Sequence, residues 1–212
     1  MTEIRNNLEP VEVRGAAGRL VAEGYAARFE SMSQNLGGFT ETIRPGAFKK
    51  TLKEADVRAL FNHDPHLVLG RNVAGTLRLE ENAEGLLYEV DLPDTSTGRD
   101  VATLLERGDI SGSSFGFQTI ADNWDDGQPI PVRTLLEVAL RDVGPVTFPA
   151  YVDASSALRC LAEARSLDYE VLAAAATSNK LSEALSVSVV GEAEGDDGRD
   201  ELTVVRRRSF FR

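Results

Sequence analysis

The sequence predicts an α+β fold built on a mostly antiparallel β-barrel with a few surrounding helices. Runs of alternating apolar and polar residues recur between polar or glycine-rich turns, as in antiparallel strands with one buried face. One central segment instead shows the apolar spacing of an amphipathic helix. The apolar content of 42% is ordinary for a globular protein, so we expect a well-formed core.

The first third of the chain predicts strands and one short helix. Residues 10–29 alternate well enough for a hairpin with glycine turns. A proline and a glycine then open a short helix in RPGAFKKTLKEA. The segment DVRALF alternates again and predicts a strand ending at Asn62, which places His63 at a strand end.

The middle of the chain adds a hairpin, a helix and two further strands. GTLRLEENAEGLLYEVDLP has two alternating runs around a polar turn, which predicts a hairpin. DTSTGRDVATLLERGD has threonines to cap its start, an apolar face and Gly108 at its end, which predicts a helix. The following strands are predicted in ISGSSFGFQTI and VRTLLEVALRDVGPVTF.

The composition changes after Tyr151, first toward alanine and leucine and then toward glycine and acidic residues. ASSALRCLAEARSLDYEVLAAAA is predicted to be helical. We therefore divide the chain into a compact domain at 1–160 and a helical, low-complexity acidic tail at 161–212. The chain ends in RRRSFFR, a basic and aromatic terminus whose role the sequence does not define.

Charge and composition exclude several classes of partner. A net charge of −11 disfavours general binding to nucleic acid or to anionic membranes. No stretch approaches the roughly 18 apolar residues of a membrane span, and the N-terminus lacks a signal-peptide core. The single cysteine permits no internal disulfide and suits a reducing cytoplasm. We expect neither nucleic acid nor membrane among the partners.

The segment GDISGSSFGF contains a G-x-S-x-G pattern from Gly112 to Gly116 with Ser114 at the nucleophile position. A serine hydroxyl needs a neighbouring base, and the chain has two histidines, His63 and His66. Both precede Ser114, which excludes the serine-acid-histidine order of the α/β-hydrolases. The order still suits a serine hydrolase on another fold. A glycine-loosened strand with solvated hydroxyls is the simpler alternative.

The same segments allow weaker predictions of ligand sites. His63, Asp64 and His66 suggest a metal-dependent hydrolase, but a proline separates the histidines and no further histidine or cysteine cluster completes a zinc sphere. No G-K-[ST] follows the glycine-rich segment, so a phosphate loop is excluded. We expect no metal and no cofactor.

Several segments in order resemble the prohead, or capsid maturation, proteases of tailed phages. These are serine peptidases whose fold is similar to that of the herpesvirus assemblin protease. The resemblance covers roughly residues 20–155 and implies a herpesvirus-protease-like fold for the 1–160 domain. It is carried by GYAARFES, GGFTETIRPGAF, LFNHDPHLVLGR, GTLRLEENAEGLLYEVDLPDT, ERGDISGSSFGF and RDVGPVTFPAY.

The resemblance implies two catalytic residues directly. The histidine of the N-H-D segment is the general base, which is His63 here, and the serine of the S-F-G-F segment is the nucleophile, which is Ser114. Ser113 stands immediately before it. Because neighbouring strand residues point to opposite faces, only one of the two serines can face His63.

The third catalytic residue in the relatives is an acid on the strand before P-A-Y. Here that residue is Asp142, in place of the more usual glutamate, and Glu137 is the alternative. The two lie on opposite faces of an unbroken strand, so they cannot both serve. For the oxyanion we expect backbone N–H groups at Gly112 and Gly116, with Arg141 as a charged helper.

The resemblance implies a serine endopeptidase of phage head assembly. Such an enzyme would act in the host cytoplasm, inside the assembling procapsid, on the major capsid protein or a scaffold protein and finally on itself. The tail at 161–212 is then a self-cleaved or scaffold-interacting segment. A homodimer is expected because relatives of the assemblin fold are activated by dimerisation. A non-catalytic scaffold or capsid-associated protein is the alternative.

Overall fold

The fold is a mixed α+β arrangement of two β-sheets and a few helices, seen in a computed structural model that describes residues 2–16, 19–125, 127–149, 154–178 and 180–187. The strands are β1 (Glu3–Asn7), β2 (Glu12–Ala16), β3 (Arg19–Arg28), β4 (Thr40–Ile43), β5 (Arg58–Leu60), β6 (Val68–Arg71), β7 (Leu77–Glu81), β8 (Gly85–Asp91), β9 (Gly112–Asp125) and β10 (Val132–Val146). The helices are α1 (Thr51–Glu54), α2 (Ser96–Arg107), α3 (Ala154–Arg165), α4 (Tyr169–Thr177) and α5 (Leu181–Val187).

The strands form two sheets that hydrogen bonding does not close into a barrel. The larger sheet has the order β1-β9-β10-β5-β6, with β4 also paired to β10, and the smaller sheet has the order β2-β3-β8-β7. The predicted β-barrel is therefore not confirmed by the described residues. A short 3-10 helix at Asn72–Ala74 turns the chain out of β6 before β7 enters the other sheet. The likeness to the herpesvirus protease fold stays a prediction.

Local sequence signals placed most of these elements. The predicted hairpins are β2–β3 and β7–β8, both antiparallel. Helix α2 begins where the Thr95 hydroxyl accepts a hydrogen bond from the Gly98 N–H at 3.2 Å, and it ends at Gly108 in the left-handed conformation. The predicted α+β class, the two hairpins and α2 are confirmed. Most strand pairs are antiparallel, but β10 runs parallel to β4 and β5.

The main core is built from residues of both sheets, and a second apolar cluster is built mainly from the helices that follow β10. Phe48, Phe115 and Phe117 lie in the main core. In the second cluster, Leu36 and Phe39 pack against residues of α3, α4 and α5. Since α3 runs through residue 160, no element ends at the predicted domain boundary, and the division at 160 stays a prediction. The RRRSFFR terminus lies outside the described residues.

None of the helices in the described part of the chain combines the length and hydropathy that a membrane span requires.

The main consequence of the fold for function is that β9 is a central strand, held by β1 on one side and by β10 on the other. The predicted serine and acid lie on β9 and β10, so the sheet itself sets their spacing.

Candidate active site

His63 lies in the loop between β5 and β6 and has an unusual backbone conformation. Asn62 and His63 have φ angles of 54° and 58°, in the left-handed region that residues other than glycine seldom adopt. The Asn62 N–H donates to the carbonyl of Pro145 at 3.1 Å, near the end of β10. The loop is thereby held against the strand that carries the predicted acid.

The structure brings the three predicted catalytic side chains together. His63 Nε2 lies 2.6 Å from Ser114 Oγ, and His63 Nδ1 is hydrogen-bonded to Asp142 Oδ2. A carboxylate accepts hydrogen bonds only, so it fixes the proton on Nδ1 and leaves Nε2 free to accept from the serine. This is the arrangement in which an imidazole acts as a general base toward a hydroxyl.

The pairing of β9 with β10 sets the geometry of the acid. Gly116 pairs with Asp142, and Gly144 pairs with Ser114. A Cβ at Gly116 would lie 2.4 Å from Asp142 Oδ1, so the carboxylate occupies the space that a side chain would fill. The position of Gly116 makes room for the acid, and its predicted role in the oxyanion hole stays a prediction.

Ser113 and Ser114 point to opposite faces of β9. The Ser113 hydroxyl lies 2.9 Å from the Tyr88 hydroxyl inside the core. Burial raises the pKa of Tyr88 and outweighs the opposing effect of its hydrogen bond with Ser113, so the phenol stays neutral. Of the two serines, Ser114 is therefore the one that faces His63.

The alternative acid and the predicted helper lie elsewhere. Glu137 is paired with Lys50 at 3.1 Å on the surface. Arg141 is exposed, and its guanidinium donates to the Gln118 side chain at 2.6 Å. Gly112 lies against Pro149, where a Cβ would fall 2.4 Å from the proline Cβ. Among the described residues, no hydrogen bond of the Arg141 side chain reaches His63, Ser114 or Asp142.

Strand β1 covers the predicted nucleophile, which the sequence did not indicate. Asn6 pairs with Ser114 in the ladder, and the Ser114 hydroxyl lies 2.8 Å from the Arg5 carbonyl. Ser114 has 0% exposed surface. Because a hydroxyl has one proton, Ser114 can donate either to the Arg5 carbonyl or to His63 Nε2 at a given moment.

A buried cluster of charges fastens β1 to the larger sheet. Arg5 Nε donates to Glu41 at 2.8 Å, and Arg133 donates to Glu3 at 2.7 Å. Burial alone would raise the pKa of Glu3, but the hydrogen bond and the charge of Arg133, aided by Arg5 and Thr119, outweigh it and lower the pKa. Glu3 is therefore held as a carboxylate inside the protein.

The residues of the alternative metal site do not converge. The Asp64 carboxylate accepts a hydrogen bond from the His66 backbone N–H at 2.8 Å and so shapes the turn. No group of three or more histidine, cysteine or acidic residues in the described ranges is placed to hold a metal ion. The metal-dependent alternative gains no support from this geometry.

Comparisons with known proteins place the chain among phage proteins. Residues 7–168 match the family described as caudovirus prohead serine protease. No curated protein sequence matches the chain. Among solved structures, the capsid assembly protease of bacteriophage T4 aligns at 14% identity with a TM-score of 0.47, covering 68% of this chain and 96% of that one.

Proposed function

Because the chain belongs to the caudovirus prohead serine protease family, we propose that His63, Ser114 and Asp142 are the catalytic residues of this phage capsid maturation protease. The family match extends over residues 7–168 and includes all three. Family membership establishes the class of enzyme, a serine protease. The observation that carries the residue assignment is the continuous hydrogen-bonded line from Asp142 through His63 to Ser114.

The proposed reaction follows from that line. Ser114 Oγ attacks the carbonyl carbon of the scissile peptide bond while its proton passes to His63 Nε2. Asp142 stabilises the imidazolium through the Nδ1 hydrogen bond. His63 then gives the proton to the leaving amine, and the acyl group stays on Ser114. Water, deprotonated by His63, hydrolyses this ester and restores the hydroxyl.

The oxyanion donors stay a prediction. Gly116 pairs with β1 and with β10, and Gly112 pairs with Val146 of β10, so both glycines take part in the ladders of the sheet. Arg141 would have to leave Gln118 to reach the intermediate. Ser114 has 0% exposed surface, and β1 lies against it at Arg5 and Asn6. A substrate therefore reaches the hydroxyl only after this part of β1 moves.

Capsid or scaffold proteins are the substrates of this class of protease, which acts inside the procapsid in the host cell. We infer that the enzyme also cleaves itself, that the tail at 161–212 contains a self-cleaved or scaffold-interacting segment, and that the active form is a homodimer. The change of composition after Tyr151 supports the tail assignment. The resemblance to relatives of the assemblin fold supports the dimer.

Intact mass measured over time tests the proposal. The wild-type chain and Ser114→Ala are incubated separately with the capsid protein under assembly conditions. Fragments that appear with the wild type alone support Ser114 as the nucleophile, and their masses give the cleavage rule. Equal fragmentation by both chains would contradict the assignment. A wild type that never cleaves, even within assembled procapsids, would favour the non-catalytic scaffold alternative.

A further inference from the structure

We propose that Asn62 and Thr147 form a clamp that holds His63 in its working position, which makes both of them positioning residues for the protease reaction. This inference rests on the proposed function, because it concerns the general base of that reaction. Neither residue touches Ser114 in the described contacts. Their effect is on the place and the orientation of the imidazole.

The clamp consists of two hydrogen bonds to Thr147, one from each end of the Asn62 side-chain amide. Asn62 Nδ2 donates to Thr147 Oγ1 at 3.0 Å. The Thr147 backbone N–H in turn donates to Asn62 Oδ1 at 2.8 Å. The Thr147 hydroxyl accepts a hydrogen bond and the Thr147 N–H donates one, so the amide can bind in only one orientation. This orientation also fixes which side of the loop faces β10.

The clamp acts where the ladder no longer holds the loop. The parallel pairing of β5 with β10 extends over Arg58 and Ala59, so the loop beyond β5 needs other attachments to β10. The hydrogen bonds from Asp64 N–H to the Phe61 carbonyl and from Leu67 N–H to the Asp64 carbonyl lie within the loop itself. They give the loop its shape but do not set its position against β10.

His63 follows Asn62 directly in the chain, so a restraint on the backbone of Asn62 also restrains the backbone of His63. Two successive left-handed residues are disfavoured, and such a conformation persists where the surroundings hold it. The clamp and the hydrogen bond from Asn62 N–H to the Pro145 carbonyl supply that restraint on one side. The hydrogen bond between His63 and Asp142 supplies it on the other.

The end of β10 and the residue after it thus hold the loop at three points, which are the Asp142 side chain, the Pro145 carbonyl and Thr147. Asp142 and Thr147 are the outermost of these, five positions apart. Gly144 lies between them, and a Cβ there would fall 2.0 Å from the Leu60 carbonyl oxygen. The glycine lets the loop approach closely enough for these attachments. Loss of the clamp leaves the loop held at the Pro145 carbonyl and the imidazole held at Asp142, so the Nε2 atom can move away from Ser114 more easily.

A simpler explanation is that asparagine occupies position 62 only because it tolerates the left-handed conformation. Asn62→Gly separates the two explanations, since glycine adopts that conformation without strain but has no amide. Thr147→Val removes the hydroxyl acceptor and keeps the backbone donor, and Thr147→Ser keeps both. Thermal melting of each full-length variant checks that it is folded. If Asn62→Gly fails to fold, the comparison of Thr147→Val with Thr147→Ser still tests the proposal.

The variants are compared by cleavage of the capsid protein and by labelling with a fluorophosphonate probe. We expect Asn62→Gly to lower kcat by about 10- to 100-fold, as misplacement of a catalytic group by about 1 Å does, with KM little changed. Thr147→Val should show a smaller loss in both assays, and Thr147→Ser should restore wild-type rates. Wild-type rates in Asn62→Gly and Thr147→Val would overturn the proposal.

Proton NMR gives a readout that does not depend on turnover. The His63 Nδ1 proton bound to Asp142 should give a low-field resonance that His63→Gln removes and His66→Ala leaves in place. We expect Asn62→Gly to broaden or abolish it, and an unchanged resonance would count against the clamp. If Ser114→Ala and the wild type cleave equally, the proposed function fails while this resonance still decides the role of the clamp.

Discussion

A Cβ at Gly116 would lie 2.4 Å from Oδ1 of Asp142, so the carboxylate that orients His63 occupies the space of a missing side chain. The atom that would be displaced is the end of a side chain, which can turn away. Gly116→Ala should therefore lower the free energy of unfolding by only about 1 kcal/mol. Proteolytic activity should fall about as far as in Asp142→Ala.

Chemical denaturation and cleavage assays on the same samples check this prediction. Gly15→Ala is the matched control, because nothing lies within 4 Å of a Cβ at that position. A Gly116→Ala enzyme with near-normal activity would mean that Asp142 is not needed in its observed place.

The two neighbouring serines should respond differently to alanine. Ser114→Ala removes the hydroxyl that faces His63, so cleavage should be abolished. Ser113→Ala removes a hydrogen bond to Tyr88 in the core and should keep the activity while lowering stability by about 1 kcal/mol. Tyr88→Phe should reproduce the effect of Ser113→Ala. Loss of cleavage in Ser113→Ala, with a normal melting temperature, would reverse the assignment.

Replacement of the acid should affect the rate far more than the fold. In Asp142→Asn the amide can donate toward Nδ1, which favours the wrong tautomer of His63. In chymotrypsin-like enzymes the same change lowers kcat by about 10⁴-fold, and a comparable loss is expected here. Glu137→Gln is the control, because Glu137 pairs with Lys50 on the surface. Single-turnover cleavage measures both, and equal losses would point away from Asp142.

Glu3 should make stability depend on pH. Its pKa lies below the ordinary value of 4.5 in the folded state, so its contribution is present above about pH 4.5 and is lost as the pH falls through the folded-state pKa. Glu3→Gln should lower the free energy of unfolding by about 3–5 kcal/mol at pH 7, as removal of one buried partner does. The difference from the wild type should shrink below pH 4.5.

Urea unfolding from pH 3 to pH 7 measures that difference. Glu80→Gln, on an exposed residue, serves as the control and should follow the wild type throughout. A difference between Glu3→Gln and the wild type that stays constant with pH would show that Glu3 does not titrate as the buried cluster requires.

The proposed mechanism needs no metal ion, so cleavage should survive a chelator. We expect unchanged rates after dialysis against EDTA and in His66→Ala, since His66 contacts Asp64 through its backbone rather than through its ring in the contacts found. The measurement is capsid-protein cleavage before and after treatment. Loss of activity that zinc restores would revive the metal-dependent alternative.

Local patterns in the sequence predicted where the strands and α2 lie along the chain but not which strands pair with each other. Alternation placed β9 and β10, and the Thr95 cap and Gly108 gave the ends of α2, because each of these signals acts over a few residues. Alternation also required that Ser113 and Ser114 face opposite ways. The predicted β-barrel is not confirmed, because closure of a sheet depends on which strand edges meet, and no local pattern records that.

The sequence by itself thus determined the α+β class, the main strands and α2 of the described region and, through its resemblance to a family, the residues to consider for catalysis. Only the tertiary structure decided that Asp142 rather than Glu137 contacts His63, that β1 covers Ser114, and that Glu3 meets Arg133 in the core. The physical reason is that these contacts join distant segments. These contacts depend on the register of the sheet, on close approach of the backbone at glycines and on pairing of buried charges. All three arise only when the strands pack together.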